Sequence, residues 1–510
     1  MTVATKTRRS GRRRGTGPAI AQRPWGQPRN ARPPVEILSR DAVEMIHRET
    51  LRVLKEVGLK VTSDRAMDVF EAAGARVDRD NQRVQMDEDL VEAQIALAPS
   101  RFMAMPRNPE RSVIIGDGYL AFTPCGTPAY CSDLQRGRRE GTLADSQDLI
   151  RLGHMLNTVH LFGSLQVEPN DVPPDLRPLE AYASFATLTD KSWRMFAATP
   201  RGVEDAVAIH ALAAGTTPEA LKGQTALFNH AMVNSPLILD GMQADGVIET
   251  ARAGQASIIT AFAMAGAMAP ITMAGTLVQQ NAEILATVVL AQLARPGAPV
   301  VYGAVATNVD MKSGSPMFGT PEHAQGLIAS GQLAARYRLP YRPGGYTASN
   351  SVDAQAIYET QMSLWASMLG QGHLFFHALG WLEGGLTCSF EKMIVDAEML
   401  QGFSAFLEPM EITSDSLAFD AIAEVGPGGH YFGTAHTLAR YEDAFYAPML
   451  SQSATYQAWE EQGSRTATER AGDIWRQLLA DYHPPAMDPA IVEEIHAYKA
   501  RRSAEILAGE

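Results

Sequence analysis

Two patterns of apolar and polar positions follow one another along this 510-residue chain. Between 35 and 98 the apolar positions recur at helical spacing. Ala42, Ile46, Leu51, Leu54 and Val57 form one stripe, with Ser39 before it as a cap and Gly58 after it as a stop. Further helices are expected over 65–73 and 87–98. Residues 111–135 read instead as short strands, at 112–115, 119–123 and 129–132, around the turn Gly116-Asp117-Gly118. From 142 onward short apolar runs alternate with helical stretches. The runs lie at 159–166, 193–198, 226–233, 257–263, 300–305, 341–347 and 374–378. Helices are expected over 178–188, 203–213, 245–253, 281–294, 321–337 and 353–370.

Strands alternating with helices build parallel βα units. Seven runs, with an eighth available from 119–132, fit a TIM (β/α)8 barrel better than a doubly wound sheet. The fold class expected is therefore α/β. The division expected is a disordered basic arm (1–34), a helical and β-hairpin extension (35–141), the barrel (142–436) and a C-terminal helical tail (437–510). The tail wraps the barrel or contacts another subunit.

Charge changes this picture at one end. Residues 1–32 hold nine Lys or Arg and no acid, while the whole chain carries −13. That arm has too little apolar surface to offset the entropy of ordering. The acidic body shows no basic face, so a nucleic-acid partner is not expected. No apolar run reaches the roughly 18 residues a membrane helix needs. An apolar h-region of the kind a signal peptide needs does not follow the basic start. Three cysteines, Cys125, Cys131 and Cys388, show no paired spacing, which favours a reducing, cytoplasmic setting and no structural zinc.

The chemistry concentrates in 340–385, PYRPGGYTASNSVDAQAIYETQMSLWASMLGQGHLFFHALGWLEGG. Two successive strands deliver Tyr346, Asn350, Asp353, His377, Trp381 and Glu383 at or beyond their C-terminal ends, the reaction face of a parallel barrel. Other stretches are as distinctive: SPLILDGMQADGVIETARAGQ (235–255), MAGAMAPITMAGTLVQQNAEILA (264–286), LAQLARPGAPVVYG (290–303) and GPGGHYFGTAHTLARY (426–441). Taken in order, these segments resemble the trimethylamine:corrinoid methyltransferase family over nearly the whole chain after the arm.

The resemblance implies a TIM barrel that moves a methyl group from a small amine to the cobalt of a corrinoid carried by a separate protein. Many members carry pyrrolysine in the polar run after Tyr346, where this chain has Asn350 in TASNSVD (347–353). Members without it include enzymes for glycine betaine and related quaternary amines. A quaternary ammonium leaves as a neutral amine and needs no activating proton, so Asn350 points to a betaine-like donor. A homo-oligomer is also expected.

Such a cation has no N–H and is held by aromatic faces and carboxylates. Candidate rings are Tyr346, Phe376, Trp381, Tyr302 and Phe122, of which Phe376 and Tyr302 are equally readable as barrel filling. Glu383 is a catalytic candidate that complements the cation, or it caps or pairs on its loop. His377 serves catalysis or is a hydrogen-bonded core residue; Arg342 is a partner for a substrate carboxylate; Asp353, which opens a helix beside the site, is a further substrate-binding candidate. His230, Asn234 and Asp240 are weaker candidates. Gln279, Gln280 and Asn281 face the site or cap a helix, and His430 and His436 fix a loop. The sequence also leaves open a trimethylamine or sulfonium donor, and a non-catalytic binding or assembly subunit on the same barrel.

Overall fold

The computed structural model describes residues 20–197 and 199–509. Strands and helices alternate through its centre. β1 (Ala121–Pro124) leads to α1 (Leu143–Met155), β2 (Leu161–Phe162) to α2 (Arg177–Leu188), and β3 (Ser192–Met195) to α3 (Pro200–Ala214). Next come β4 (Phe228–Val233) and α4 (Gly241–Arg252), then β5 (Ala256–Ala265) and α5 (Met273–Ala294). β6 (Val300–Val309) precedes α6 (Pro321–Arg336), β7 (Tyr341–Arg342) precedes α7 (Ala354–Leu369), and β8 (Leu374–Leu379) precedes α8 (Phe390–Leu407).

Local chemistry marks the helix starts. Thr142, Thr199, Asp240, Thr272, Thr320, Asp353 and Ser389 each accept a first-turn backbone N–H, opening α1, α3, α4, α5, α6, α7 and α8. Each such cap stabilises its helix by about 1 kcal/mol.

The strands run parallel. β2 pairs with β3, β3 with β4, β4 with β5, β5 with β6, and β6 with β7. β8 pairs with β1 in register Leu374↔Ala121. The His160 N–H, just before β2, donates to Phe122 O of β1 at 3.0 Å, and the His373 N–H donates to Tyr341 O of β7 at 2.9 Å. β5 and β6 are buried on both faces over most of their length, the pattern of a parallel sheet covered by helices.

Residues 35–115 form a layer on one flank. Helix Arg40–Arg52, a π-turn at Val53–Val57, and helices Asp64–Ala72 and Glu88–Ile95 place Val43, Leu54, Phe70 and Val91 against Leu285, Val288 and Val289 of α5. This explains why α5 is apolar round most of its circumference. Strand Leu59–Val61 adds Ile238–Leu239 as a parallel neighbour and so ties the layer to the loop after β4.

At the other end, helix Ala467–Ala480 packs on α8, where Trp475 donates Nε1–H to Glu391 at 2.9 Å. Helix Pro489–Ala508 lies on α2 and α3; its Tyr498 hydroxyl and Arg502 Nε donate to Asp205 at 2.7 and 2.9 Å. No helix among the described residues is long and apolar enough to cross a membrane.

The element boundaries differ from the sequence expectations in physical ways. β1 falls in the 119–132 stretch offered as the source of an eighth strand, and it pairs with β8. The expected strand 341–347 stops at Arg342, because Pro343 has no N–H to give. The run 159–166 yields only Leu161–Phe162. α5 begins eight residues early because Thr272 caps it, and this moves Gln280 and Asn281 from the expected mouth into the core. Asn281 there joins Tyr302 and Tyr337 through hydrogen bonds of 3.0 and 2.7 Å. The expected disordered arm falls in part, at 1–19, outside the described residues. From 20 to 34 the chain is held to the body. Gln27 and Asn30 donate to Ile114 O and Met368 O at 3.0 and 3.1 Å, and Asn157 donates to Arg23 O at 2.8 Å.

Candidate functional site

At the C-terminal end of β7 the backbone turns sharply. A Cβ on Gly344 would sit 2.4 Å from Phe376 O and 2.5 Å from the Tyr346 hydroxyl, so only glycine fits. This close approach draws Arg342 and Tyr346 against β8. Arg342 is buried, donates Nη1–H to the Tyr346 hydroxyl at 2.7 Å, and lies over the Phe376 ring at 4.5 Å. Its Nη2 is 3.1 Å from His377 Nε2. On the other side of that ring the Gly126 N–H donates to Nδ1 at 3.1 Å. His377 has φ +55, a left-handed conformation that is costly for an L residue inside a strand.

Rings gather above His377. Trp381 stands 4.3 Å from His377 by ring centroids, and edge-on to Tyr346 at 5.4 Å and Phe318 at 6.1 Å. Phe318 stacks on Tyr346 at 5.1 Å and neighbours Phe262 at 6.3 Å. Trp381 is oriented by its Nε1–H, which donates to Thr347 O at 3.1 Å. The turn that presents it contains Gly380, φ +88, whose N–H donates to Asp396 Oδ2 at 2.8 Å. Asp396 is itself paired with the buried Lys392.

The imidazoles here are uncharged. Burial, then Arg342 and Arg194, hold His377 well below the ordinary histidine range. Burial and the same two arginines do this to His230, and burial alone pushes His323 down to about 3. The positive charge lies on two guanidiniums. Arg194, on β3, donates Nη1–H to Ser164 Oγ at 2.9 Å and lies over Phe196 at 4.9 Å. Burial lowers it to about 10, so it stays a cation at neutral pH, as does Arg342. The carboxylate that raises Arg194, Glu168, is itself bound to Arg177 at 2.9 Å. Arg194 Nε and Arg342 Nε have no hydrogen-bond partner among the described residues.

The structure thus brings together Arg342, Tyr346, Phe376, His377 and Trp381 from the sequence candidates. Phe376 lies beneath the cluster in the core with Leu161, Phe228 and Val301, where it supports Arg342 and meets no solvent. Glu383 is bound by Arg138 at 2.7 and 3.0 Å, with Arg138 in turn over Tyr130 at 3.6 Å. Asp353 is engaged in capping α7, accepting from Ala356 N–H and Ser349 Oγ at 3.0 Å each. Asn350 is exposed in the loop before α7. His230 shares a 2.9 Å hydrogen bond with Thr260 and stands 5.1 Å from Phe376. Asn234 and Asp240 bond each other at 3.0 Å. Phe122 and Tyr302 are core. His430 lies on an exposed segment. Arg194, Gly126, Phe262 and Phe318 were not foreseen, although an arginine inside the apolar run WRMF is a visible signal.

Among the described residues no group of His, Cys, Asp and Glu is placed to hold a metal ion. The profile of the trimethylamine methyltransferase family matches residues 4–507. A glycine betaine methyltransferase from Desulfitobacterium hafniense strain Y51 is 36% identical over 477 residues, 93% of this chain and 98% of that one. A trimethylamine methyltransferase from another strain of the same species is 30% identical over 456 residues, 89% and 91% of the two chains. The solved monomethylamine methyltransferase of Methanosarcina barkeri aligns over 87% of this chain and 92% of its own, at 12% identity and a TM-score of 0.49. The chain belongs to the trimethylamine methyltransferase family and is a methyltransferase.

Proposed function

We propose that the eight parallel strands close into one (β/α)8 barrel and that the protein demethylates a small, betaine-like quaternary amine at its C-terminal mouth, passing the methyl group to a corrinoid carried by a partner protein. The observation that carries this reading is the uncharged aromatic cluster around Trp381. Its rings hold a trimethylammonium head by cation–π attraction, about 0.5–2 kcal/mol per ring. His377, His230 and His323 are neutral there, and the chemistry asks no proton of them. When bound, the reduced corrinoid supplies the nucleophile that takes the methyl carbon, and the nitrogen keeps the electron pair of the broken C–N bond and leaves as a neutral tertiary amine. The chain's own residues bind, orient and exclude water.

Asn350 supports the same donor, because the family resemblance of TASNSVD puts it where many members carry an activating residue that trimethylamine needs. The 36% identity with a glycine betaine methyltransferase agrees. The partner reading has its own support. Leu134, Ile271, Met311, Met317 and Leu386, from the loops after β1, β5, β6 and β8, are exposed, and in the proposed barrel these loops would form an apolar rim suited to a docking protein. Met410, Phe419, Phe432 and Phe445 form a second exposed apolar set after α8, which supports a homo-oligomer. The three cysteines are buried and free, which suits the cytoplasm. The test is to mix the protein with a reduced corrinoid protein and glycine betaine and follow the cobalt spectrum. Methylated cobalt supports the reading; an unchanged spectrum with every quaternary amine defeats it.

A further inference from the structure

The mouth holds positive charge without a matching anion. A buried guanidinium is normally paired, because an isolated charge in the interior is costly. Among the described residues neither Arg194 nor Arg342 has an ion-pair partner, and Glu168 already serves Arg177. The two arginines are not equivalent. Arg342 is 1% exposed and committed to Tyr346 and His377. Arg194 keeps accessible surface, makes its hydrogen bond to Ser164, and leaves Nε unpartnered.

The cluster is also short of acceptors. Two donors face the imidazole of His377, the Gly126 N–H at Nδ1 and Arg342 at Nε2. A neutral imidazole has one accepting nitrogen, so in either tautomer one donor meets an N–H. Position matters as much as charge. A Cβ placed on Gly126 would lie 3.0 Å from Ser164 Cβ and 3.1 Å from His377 Cε1. The hydroxyl that holds Arg194 and the ring that neighbours Trp381 therefore flank one glycine, with cationic and aromatic surfaces on either side of His377.

We infer that Arg194 is a specificity residue that binds the carboxylate of a zwitterionic donor whose quaternary ammonium sits on Trp381. Arg342 acts as a positioning residue that fixes His377 between the two ends. A betaine, with one methylene between charge centres, satisfies both surfaces at once. A simple cation leaves Arg194 uncompensated. This inference rests on the quaternary-amine reading above and adds which member of that class is selected.

Calorimetric titration of the full-length protein separates the two ideas. The probes are glycine betaine, tetramethylammonium, which lacks the carboxylate, and 3,3-dimethylbutanoate, which lacks the cation. A hydrogen-bonded charge contact predicts that Arg194→Met loses about 10–100-fold in affinity for glycine betaine and for 3,3-dimethylbutanoate. Its affinity for tetramethylammonium stays within about threefold. Arg194→Lys recovers part of the loss, since charge returns without the planar fork. The melting temperature of Arg194→Met without ligand stays close to that of the wild type, because the charge removed is half-buried and has no ion-pair partner among the described residues. An unchanged affinity for glycine betaine in Arg194→Met, or an equal loss for all three probes, overturns the subsite. If the wild type binds tetramethylammonium as tightly as glycine betaine, the subsite fails while the quaternary-amine reading stands. If it binds 3,3-dimethylbutanoate as tightly as glycine betaine, the quaternary-amine reading fails while the carboxylate subsite stands.

Discussion

Arg342 Nη2 lies 3.1 Å from Nε2 of His377, so a cation borders the ring of the histidine at the centre of the site. Burial and this cation keep the imidazole neutral in the folded protein. In the unfolded chain the same ring takes up a proton below pH about 6.5. The unfolded state then binds more protons than the folded one, so this histidine lowers stability as pH falls below that value, by about 1.4 kcal/mol per pH unit. Above it the contribution is flat. His377→Gln removes this share, and the acid-side decline in melting temperature becomes shallower. Methyl transfer falls by about 10–100-fold, because the ring between Arg342 and Trp381 is lost. Normal turnover in a strongly destabilised variant would show that His377 is only a core hydrogen-bonding residue.

Trp381→Ala removes the ring proposed to face the substrate and one of the rings packed on Tyr346. Affinity for glycine betaine drops by about 1–3 kcal/mol, through lost cation–π contact and cavity formation. Titration of 3,3-dimethylbutanoate against the same variant checks the charge dependence. An equal loss for that probe would mean that the pocket is merely apolar.

Asp396 anchors the turn that presents Trp381, and it shares the interior with Lys392. Asp396→Asn leaves that lysine without its counter-charge. Breaking one side of a buried pair costs about 3–5 kcal/mol, so thermal unfolding moves to markedly lower temperature. Substrate affinity weakens with it, since a single amide oxygen cannot accept from both the Gly380 N–H and Lys392. A variant as stable as the wild type would mean that the Asp396 contact is not what fixes the turn.

Ile271 and Met311 are exposed and belong to the proposed docking rim. Ile271→Glu paired with Met311→Glu places two charges where a carrier would dock. The KM for the corrinoid protein rises by about tenfold or more, while the affinity for glycine betaine holds. An unchanged KM would move the docking surface elsewhere.

Much of the fold is legible in the sequence, because it depends on local signals. Thr320 before α6, Asp353 before α7 and Gly215 after α3 are readable as punctuation. The position of β1 depends on a partner 253 residues away, Leu374↔Ala121, which no window along the chain reveals. The site is legible in the same uneven way. Tyr346, His377 and Trp381 follow from one segment and its strand order. Phe318 and Arg194 arrive from the loop after β6 and from β3 and meet the others only in three dimensions. The sequence leaves Glu383 between complementing a cation and holding its loop, and reads Asp353 as the start of a helix; Glu383 is bound by Arg138, and Asp353 caps α7. Residues 20–34 look like an arm, yet hydrogen bonds from Gln27 and Asn30 hold them to the body.

The most direct measurement compares two methyl donors in one assay. Full-length protein is mixed with a partner corrinoid protein reduced to Co(I), and methylation of cobalt is followed by its absorption spectrum with glycine betaine or with trimethylamine as donor. The neutral aromatic cluster and Asn350 predict rapid methylation from glycine betaine and none above background from trimethylamine. Turnover with trimethylamine equal to or faster than with glycine betaine would contradict the account.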